Sequence, residues 1–262
     1  MSPSPLARDL VRGAYDMHVH SGPDVIQRIG NDIEIAGRFR DVGLGGFVAK
    51  SHYSPTAGRA ALARAIVPEV KTMGAITLNR CVGGMNPLAV EMAAREGARL
   101  VWFPTVDAVN EPVGRRPPVP GANIPFWAHM QHQLRDEGVF SEAVPVVDDE
   151  MNVLPETRAV LQSIAKHDLI LATAHLSRDE IFAVVDEAVA VGVKRITITH
   201  PEFPSQNLSP QDQAALAERG AFLEHCMASI LFKKYTWELV FENIRYTGIE
   251  QCYFASDLGQ PT

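Results

Sequence analysis

Positive charge is in short supply: 24 Lys and Arg face 31 Asp and Glu, a formal net charge of −7. A surface of that sign repels nucleic-acid phosphates and anionic lipid, so neither is an expected partner. No apolar stretch reaches the length of a membrane span. The start, Met1-Ser2-Pro3-Ser4-Pro5-Leu6-Ala7-Arg8-Asp9, lacks the basic-then-apolar plan of a secretory signal. Cysteine is scarce as well. Cys81, Cys226 and Cys252 are scattered, with neither a disulfide framework nor a CxxC pair. These absences lead us to expect a cytoplasmic protein with reduced thiols whose partner is a small-molecule substrate.

What is present is alternation. Short apolar runs at Tyr15–His20, Gly46–His52, Thr72–Asn79, Leu100–Asp107, Leu169–His175, Arg195–His200, Ala221–His225 and Cys252–Asp257 read as strands. Most are continuously apolar, as parallel strands buried on both faces are. Helix-period segments separate them: Asp32–Val42, Thr56–Val67, one opening at Asn86-Pro87, Pro155–Lys166, one opening at the capping box of Ser177 and Glu180, one from Ser209-Pro210 to Gly220, and Thr236–Thr247. Eight strand–helix units in 262 residues predict a single α/β domain over residues 1–262, a (β/α)8 TIM barrel, with a doubly wound open sheet as the alternative.

Two departures stand out. A long irregular stretch after the fourth strand, about residues 109–154, contains Asn110-Glu111-Pro112-Val113-Gly114-Arg115-Arg116 and reads as an insert or lid, with Phe126 and Trp127 nearby. Its later part, Val144–Val153, suits a small β-hairpin. No eighth helix follows the eighth strand in the given chain. The stretch Leu6–Arg12, or a second copy of the chain in a homo-oligomer, would then cover that strand.

Chemistry-bearing residues gather at the strand ends, where a TIM barrel builds its active site. His18 and His20 close the first strand; residues two apart on a strand face one way, which lets two imidazoles converge on a divalent metal. His175 closes the fifth strand, His200 the sixth and Asp257 the eighth. Lys50 and His52 lie at the tip of the second, and Glu224 and His225 at that of the seventh. Asp257 beside a metal-bound water can ligate the ion and also take the proton as water attacks. Arg80, Arg115 and Arg116 are candidate partners for a substrate carboxylate, and Glu224 is a further candidate substrate contact.

His18-x-His20 on the first strand, with His175, His200 and Asp257 in register, resembles the amidohydrolase superfamily of metal-dependent hydrolases over essentially the whole chain. Lys50-Ser51-His52 and Gly83-Gly84-Met85-Asn86-Pro87 mark a poorly characterised branch. The resemblance implies that His18, His20 and Asp257 hold one metal, and that His175 and His200 hold a second or contact substrate. The bridging lysine or glutamate that many two-metal members carry at the end of strand four is missing from Leu100–Asp107. Lys50 is the candidate replacement, as a carbamate bridge or a standby cation; its bland alternative is an ion pair with Asp16 or Glu224. Asp107 is a weaker substitute bridge.

The expected function is metal-dependent hydrolysis of an amide, cyclic amide, lactone or ester (an EC 3.5 or 3.1 activity). In it a metal-bound hydroxide attacks the carbonyl, with Asp257, His200 and His52 as the catalytic set. Zn²⁺ is the first choice for so many imidazoles, as one or two ions, with Mn²⁺, Fe²⁺ or Ni²⁺ as alternatives. A metal-dependent decarboxylase or C–C lyase on the same scaffold is the first rival. A phosphoesterase is the second, weakened because Asp257 is followed by Leu258-Gly259 rather than by x-His. A non-catalytic metal-binding barrel is the third.

Overall fold

The computed structural model describes residues 4–114, 126–139 and 142–260. Its centre is a parallel sheet of eight strands in sequential order: β1 (Tyr15–His20), β2 (Gly46–Lys50), β3 (Lys71–Thr77), β4 (Ala98–Trp102), β5 (Ile170–Ala172), β6 (Arg195–Thr199), β7 (Phe222–Cys226) and β8 (Cys252–Ala255). The segment just past β8 brings the sheet round to β1. Asp257 N donates to His18 O at 2.9 Å, His20 N to Leu258 O at 2.8 Å, and Val19 bridges Leu258. Gly259 makes that approach feasible, since a Cβ there would lie 1.7 Å from the His20 carbonyl oxygen. The chain is a (β/α)8 TIM barrel.

The connecting helices are α1 (Pro5–Leu10), α2 (Asp32–Val42), α3 (Ala57–Ile66), α4 (Pro87–Glu96), α5 (Phe126–Asp136), α6 (Pro155–Lys166), α7 (Arg178–Ala190), α8 (Pro210–Glu218), α9 (Met227–Leu231) and α10 (Trp237–Thr247). Local chemistry sets their starts. Asn31 with Glu34, Ser177 with Glu180 and Ser209 with Asp212 form reciprocal capping boxes that satisfy orphan N–H groups of α2, α7 and α8. Among the described residues, no helix is long and apolar enough to cross a membrane.

Two apolar clusters make up the core. The larger follows β3–β7 and includes Trp102, Leu161, Ile164, Leu171, Ile181 and Leu223. The smaller lies behind β1 and β2 and consists of Val19, Ile35, Ala36, Phe47, Ala49, Val67 and Val70, with Phe39 against it. Packing is close where side chains are small. A Cβ on Gly74 of β3 would meet the Ala57 Cα of α3 at 2.3 Å, so that position takes glycine because helix and strand backbones nearly touch.

Several strands end sooner than the sequence predicts. The expected Gly46–His52, Leu100–Asp107, Leu169–His175 and Cys252–Asp257 stop at Lys50, Trp102, Ala172 and Ala255. The tips turn out of the ladder: Ala174, His200 and Asp257 all have positive φ, at 55°, 32° and 50°. The insert after β4 carries α5, which the sequence reading leaves as irregular chain. Its later part makes one antiparallel bridge, Val147 to Val153, around a turn in which the Asp148 carboxylate accepts from the N–H groups of Glu150 and Asn152. The stretch Leu6–Arg12 does not cover β8: α1 has no buried residue, and Phe254 of β8 is 46% exposed.

Candidate metal centre

Strand alternation and barrel closure build the β1 corner of the mouth. His18 and His20 are both buried, and their Nε2 atoms lie 3.0 and 3.2 Å from a single oxygen, Asp257 Oδ1. Asp257 reaches them because the chain past β8 pairs with β1. On β7, Glu224 and Cys226 share one face. His18 Nδ1–H donates to Glu224 Oε1 at 2.6 Å, and the Cys226 thiol donates to the same oxygen at 3.3 Å. Glu224, expected as a substrate contact, is instead buried behind His18, where it fixes the imidazole with Nε2 toward Asp257. Asp16 braces this corner, its carboxylate accepting from the N–H groups of His18 and Ser256, and is not the partner of Lys50 considered above.

The electrostatics follow from burial and two carboxylates. Burial disfavours a charged His18, but Asp257, with Glu224 also contributing, outweighs burial and the Lys50 cation and raises it to about 9. Burial holds Asp257 back from ionising, yet the two histidines take its pKa well below the usual carboxylate range. Burial lowers His20, His52 and His200 well below an ordinary imidazole, which keeps lone pairs available.

Lys50 is 1% exposed, with Nζ 2.8 Å from His18 Nε2 and 4.8 Å from the centre of the Trp102 ring. Burial lowers its pKa, against the pull of Asp257 and Glu224. His52 stands beside it, its ring centroid 4.9 Å from that of His20 and its Nδ1 2.8 Å from Thr105 Oγ1. Asn79 ties this group together, donating to His52 O and to Thr105 Oγ1 and accepting from Thr105 N.

On the opposite side, the rings of His175 and His200 lie 5.1 Å apart, and His200 is 6.4 Å from His18. Phe203 packs 4.9 Å from His200, and Trp127 of α5 lies 6.2 Å from His175. The insert therefore places an aromatic side chain over the mouth. Gln131 of α5 donates to Asp107 Oδ1 and Arg80 N to Oδ2, so Asp107 anchors α5 and the loop after β3. The exposed Arg80 guanidinium donates through Nε and Nη2 to the carbonyls of Glu142 and Ala143, and so braces that loop. Arg115 and Arg116 lie outside the described residues.

The donor set fits a divalent cation. A tetrahedral zinc site with bonds of about 2.0–2.1 Å has ligand-to-ligand edges of about 3.3 Å. The 3.0 and 3.2 Å spacings to Asp257 are close to that, and the ligand atoms of His18, His20 and Asp257 all lie within 4.8 Å of one another. His20 Nδ1 and His200 Nδ1 are buried without a hydrogen-bond partner, and His200 and Asp257 occupy the uncommon positive-φ region. Such backbone outliers concentrate at functional sites.

Residues 13–224 match the model of a family described as a family of unknown function, DUF6282. The chain belongs to that family. No curated protein matches it in sequence. Among solved structures, it is similar to an amidohydrolase from Pseudomonas aeruginosa at 12% identity, covering 99% of this chain and 78% of that one with a TM-score of 0.63. A probable dipeptidase from the same organism matches at 11% identity, 95% and 84% coverage and a TM-score of 0.54. An organophosphorus hydrolase from Deinococcus radiodurans matches at 12% identity, 95% and 78% coverage and a TM-score of 0.50. At these identities the likeness is one of fold, so for this DUF6282 member the chemistry has to be argued from its own side chains.

Proposed function

We propose that the protein is a metal-dependent hydrolase acting on the carbonyl of an amide, cyclic amide, lactone or ester. His18, His20 and Asp257 would hold one divalent cation, with zinc the first choice for so imidazole-rich a set. His175 and His200 would hold a second or contact substrate. The convergence of two buried Nε2 atoms on one Asp257 oxygen, with Glu224 behind His18, carries this reading. Barrels of similar fold include an amidohydrolase and a probable dipeptidase, which is in keeping with it. When bound, the cation polarises the carbonyl and lowers the pKa of water.

The protein's own groups have separable tasks. Asp257, whose side chain is 20% exposed while that of His18 is fully buried, is the member of the cluster that solvent reaches. It takes the proton from the attacking water and passes it to the leaving group. Glu224 keeps His18 in one tautomer. Lys50 supplies a buried positive charge beside His18, and His52, held by Thr105, orients substrate. Trp127 and Phe203 screen the β5–β6 side from water.

The test is a screen of zinc-reconstituted protein against amides, lactones, esters and carboxylated aromatics, with product analysis. A carboxylic acid released with its amine or alcohol is expected, and Asp257→Asn should lower kcat about 10²–10⁴-fold. Carbon dioxide as the product, with no bond hydrolysed, would replace this reading by the lyase.

A further inference from the structure

The β5 side of the mouth contains a carboxylate for which the resemblance gives no role. Glu111, 5% exposed, lies in the loop between β4 and α5. Its Oε1 accepts from Ser205 Oγ at 2.7 Å and lies 3.3 Å from His175 Nδ1. The neighbouring Asn110 amide donates to His175 O and to Ser205 O, at 3.2 and 2.7 Å. Gln206 donates to Ala174 O at 3.2 Å. Side chains of the loops after β4 and β6 thus hold the His175 turn on both sides. A carboxylate this buried needs hydrogen-bond donors. Ser205 supplies one; His175 Nδ1, 3.3 Å away, is buried with no hydrogen-bond partner and Glu111 is the carboxylate in its reach.

We infer that Glu111 is the positioning residue for His175: by taking Nδ1–H it leaves the Nε2 lone pair as the one offered to a cation. The inference rests on the metal reading above and adds a residue to it. The two sides of the mouth are then built on one plan at different closeness, since Glu224 is hydrogen-bonded to His18 at 2.6 Å, whereas Glu111 lies 3.3 Å from a His175 Nδ1 that makes no hydrogen bond. His20 Nδ1 and His200 Nδ1, like His175 Nδ1, are buried without a hydrogen-bond partner, but neither has a carboxylate in ion-pair range of that nitrogen among the described residues. A carboxylate behind a ligating imidazole fixes its tautomer and raises its basicity, and its loss costs about 10–100-fold in metal affinity.

The experiment is titration of the full-length protein with Zn²⁺, and with Co²⁺ followed by absorption. His175→Ala defines which bound equivalent depends on His175. Glu111→Ala should weaken that equivalent about 10–100-fold and leave unchanged the one that His18→Ala removes. Glu111→Gln should restore most of the affinity, because its amide oxygen still accepts Nδ1–H. Ser205→Ala, which frees the Glu111 carboxylate, should give a smaller loss, and it decides the matter should Glu111→Ala fail to fold. Wild-type affinity in Glu111→Ala or in Ser205→Ala overturns the inference. So does a Glu111→Gln as weak as Glu111→Ala, which would make Glu111 a ligand. A wild-type protein that binds neither ion fails the metal reading itself.

Discussion

At the β1–β8 corner of the mouth, His18, His20 and Asp257 meet through contacts of 3.0 and 3.2 Å, with Glu224 behind them at 2.6 Å. At the β5–β6 corner, His175 and His200 stand with ring centroids 5.1 Å apart between Trp127 and Phe203. The first corner is made by strands: period-two alternation on β1 and β7 and the closure of β8 onto β1 leave its geometry little freedom. The second is made by loops, stitched by Asn110, Glu111, Ser205 and Gln206 and roofed by α5. A corner fixed by the sheet is expected to be the tighter cation site, and a corner fixed by loops the one that adapts to substrate.

The largest effect expected is from His18→Ala, which should abolish the tighter metal equivalent and bring activity to background, while His175→Ala keeps that equivalent; metal analysis of both variants reads the contrast. Phe47→Ala comes next. This side chain is fully buried in the small cluster with Val19, so its removal should cost about 3–5 kcal/mol, read as a lower denaturant midpoint at unchanged slope. Because Val19 lies between His18 and His20, metal affinity at the β1–β8 corner should fall with it. Glu224→Ala should weaken the tighter equivalent about 10–100-fold, read by metal titration. The smallest effect belongs to Ser177→Ala, which breaks the capping box just after His175 and should cost about 1 kcal/mol of stability with no change at the β1–β8 corner.

How much was legible in the sequence divides along the same line. The bounds of β1, α2 and α6 agree residue for residue with the sequence reading, because apolar periodicity and cap residues are local signals. His18, His20, His175, His200 and Asp257 were all placed at strand tips, and the structure brings them to one mouth. The exact strand ends were not legible: Ala174, His200 and Asp257 leave the ladder with positive φ, a conformation set by tertiary contacts and not by residue type. Glu224 reads in the sequence as a candidate substrate contact or partner of Lys50, while its hydrogen bond to His18 has only one local signal, the spacing of two from Cys226 that puts both on one face of β7. Glu111 and Asn79 were missed, since a loop carboxylate or a buried amide has no periodicity to betray it. The helix α5 lay hidden in a segment whose prolines and glycines read as irregular chain.

The most direct test of the central claim is anomalous diffraction from crystals of the zinc-loaded protein. A zinc peak bonded to His18 Nε2, His20 Nε2 and an Asp257 carboxylate oxygen is the result expected. Zinc bound elsewhere, with none at those three side chains, would contradict it.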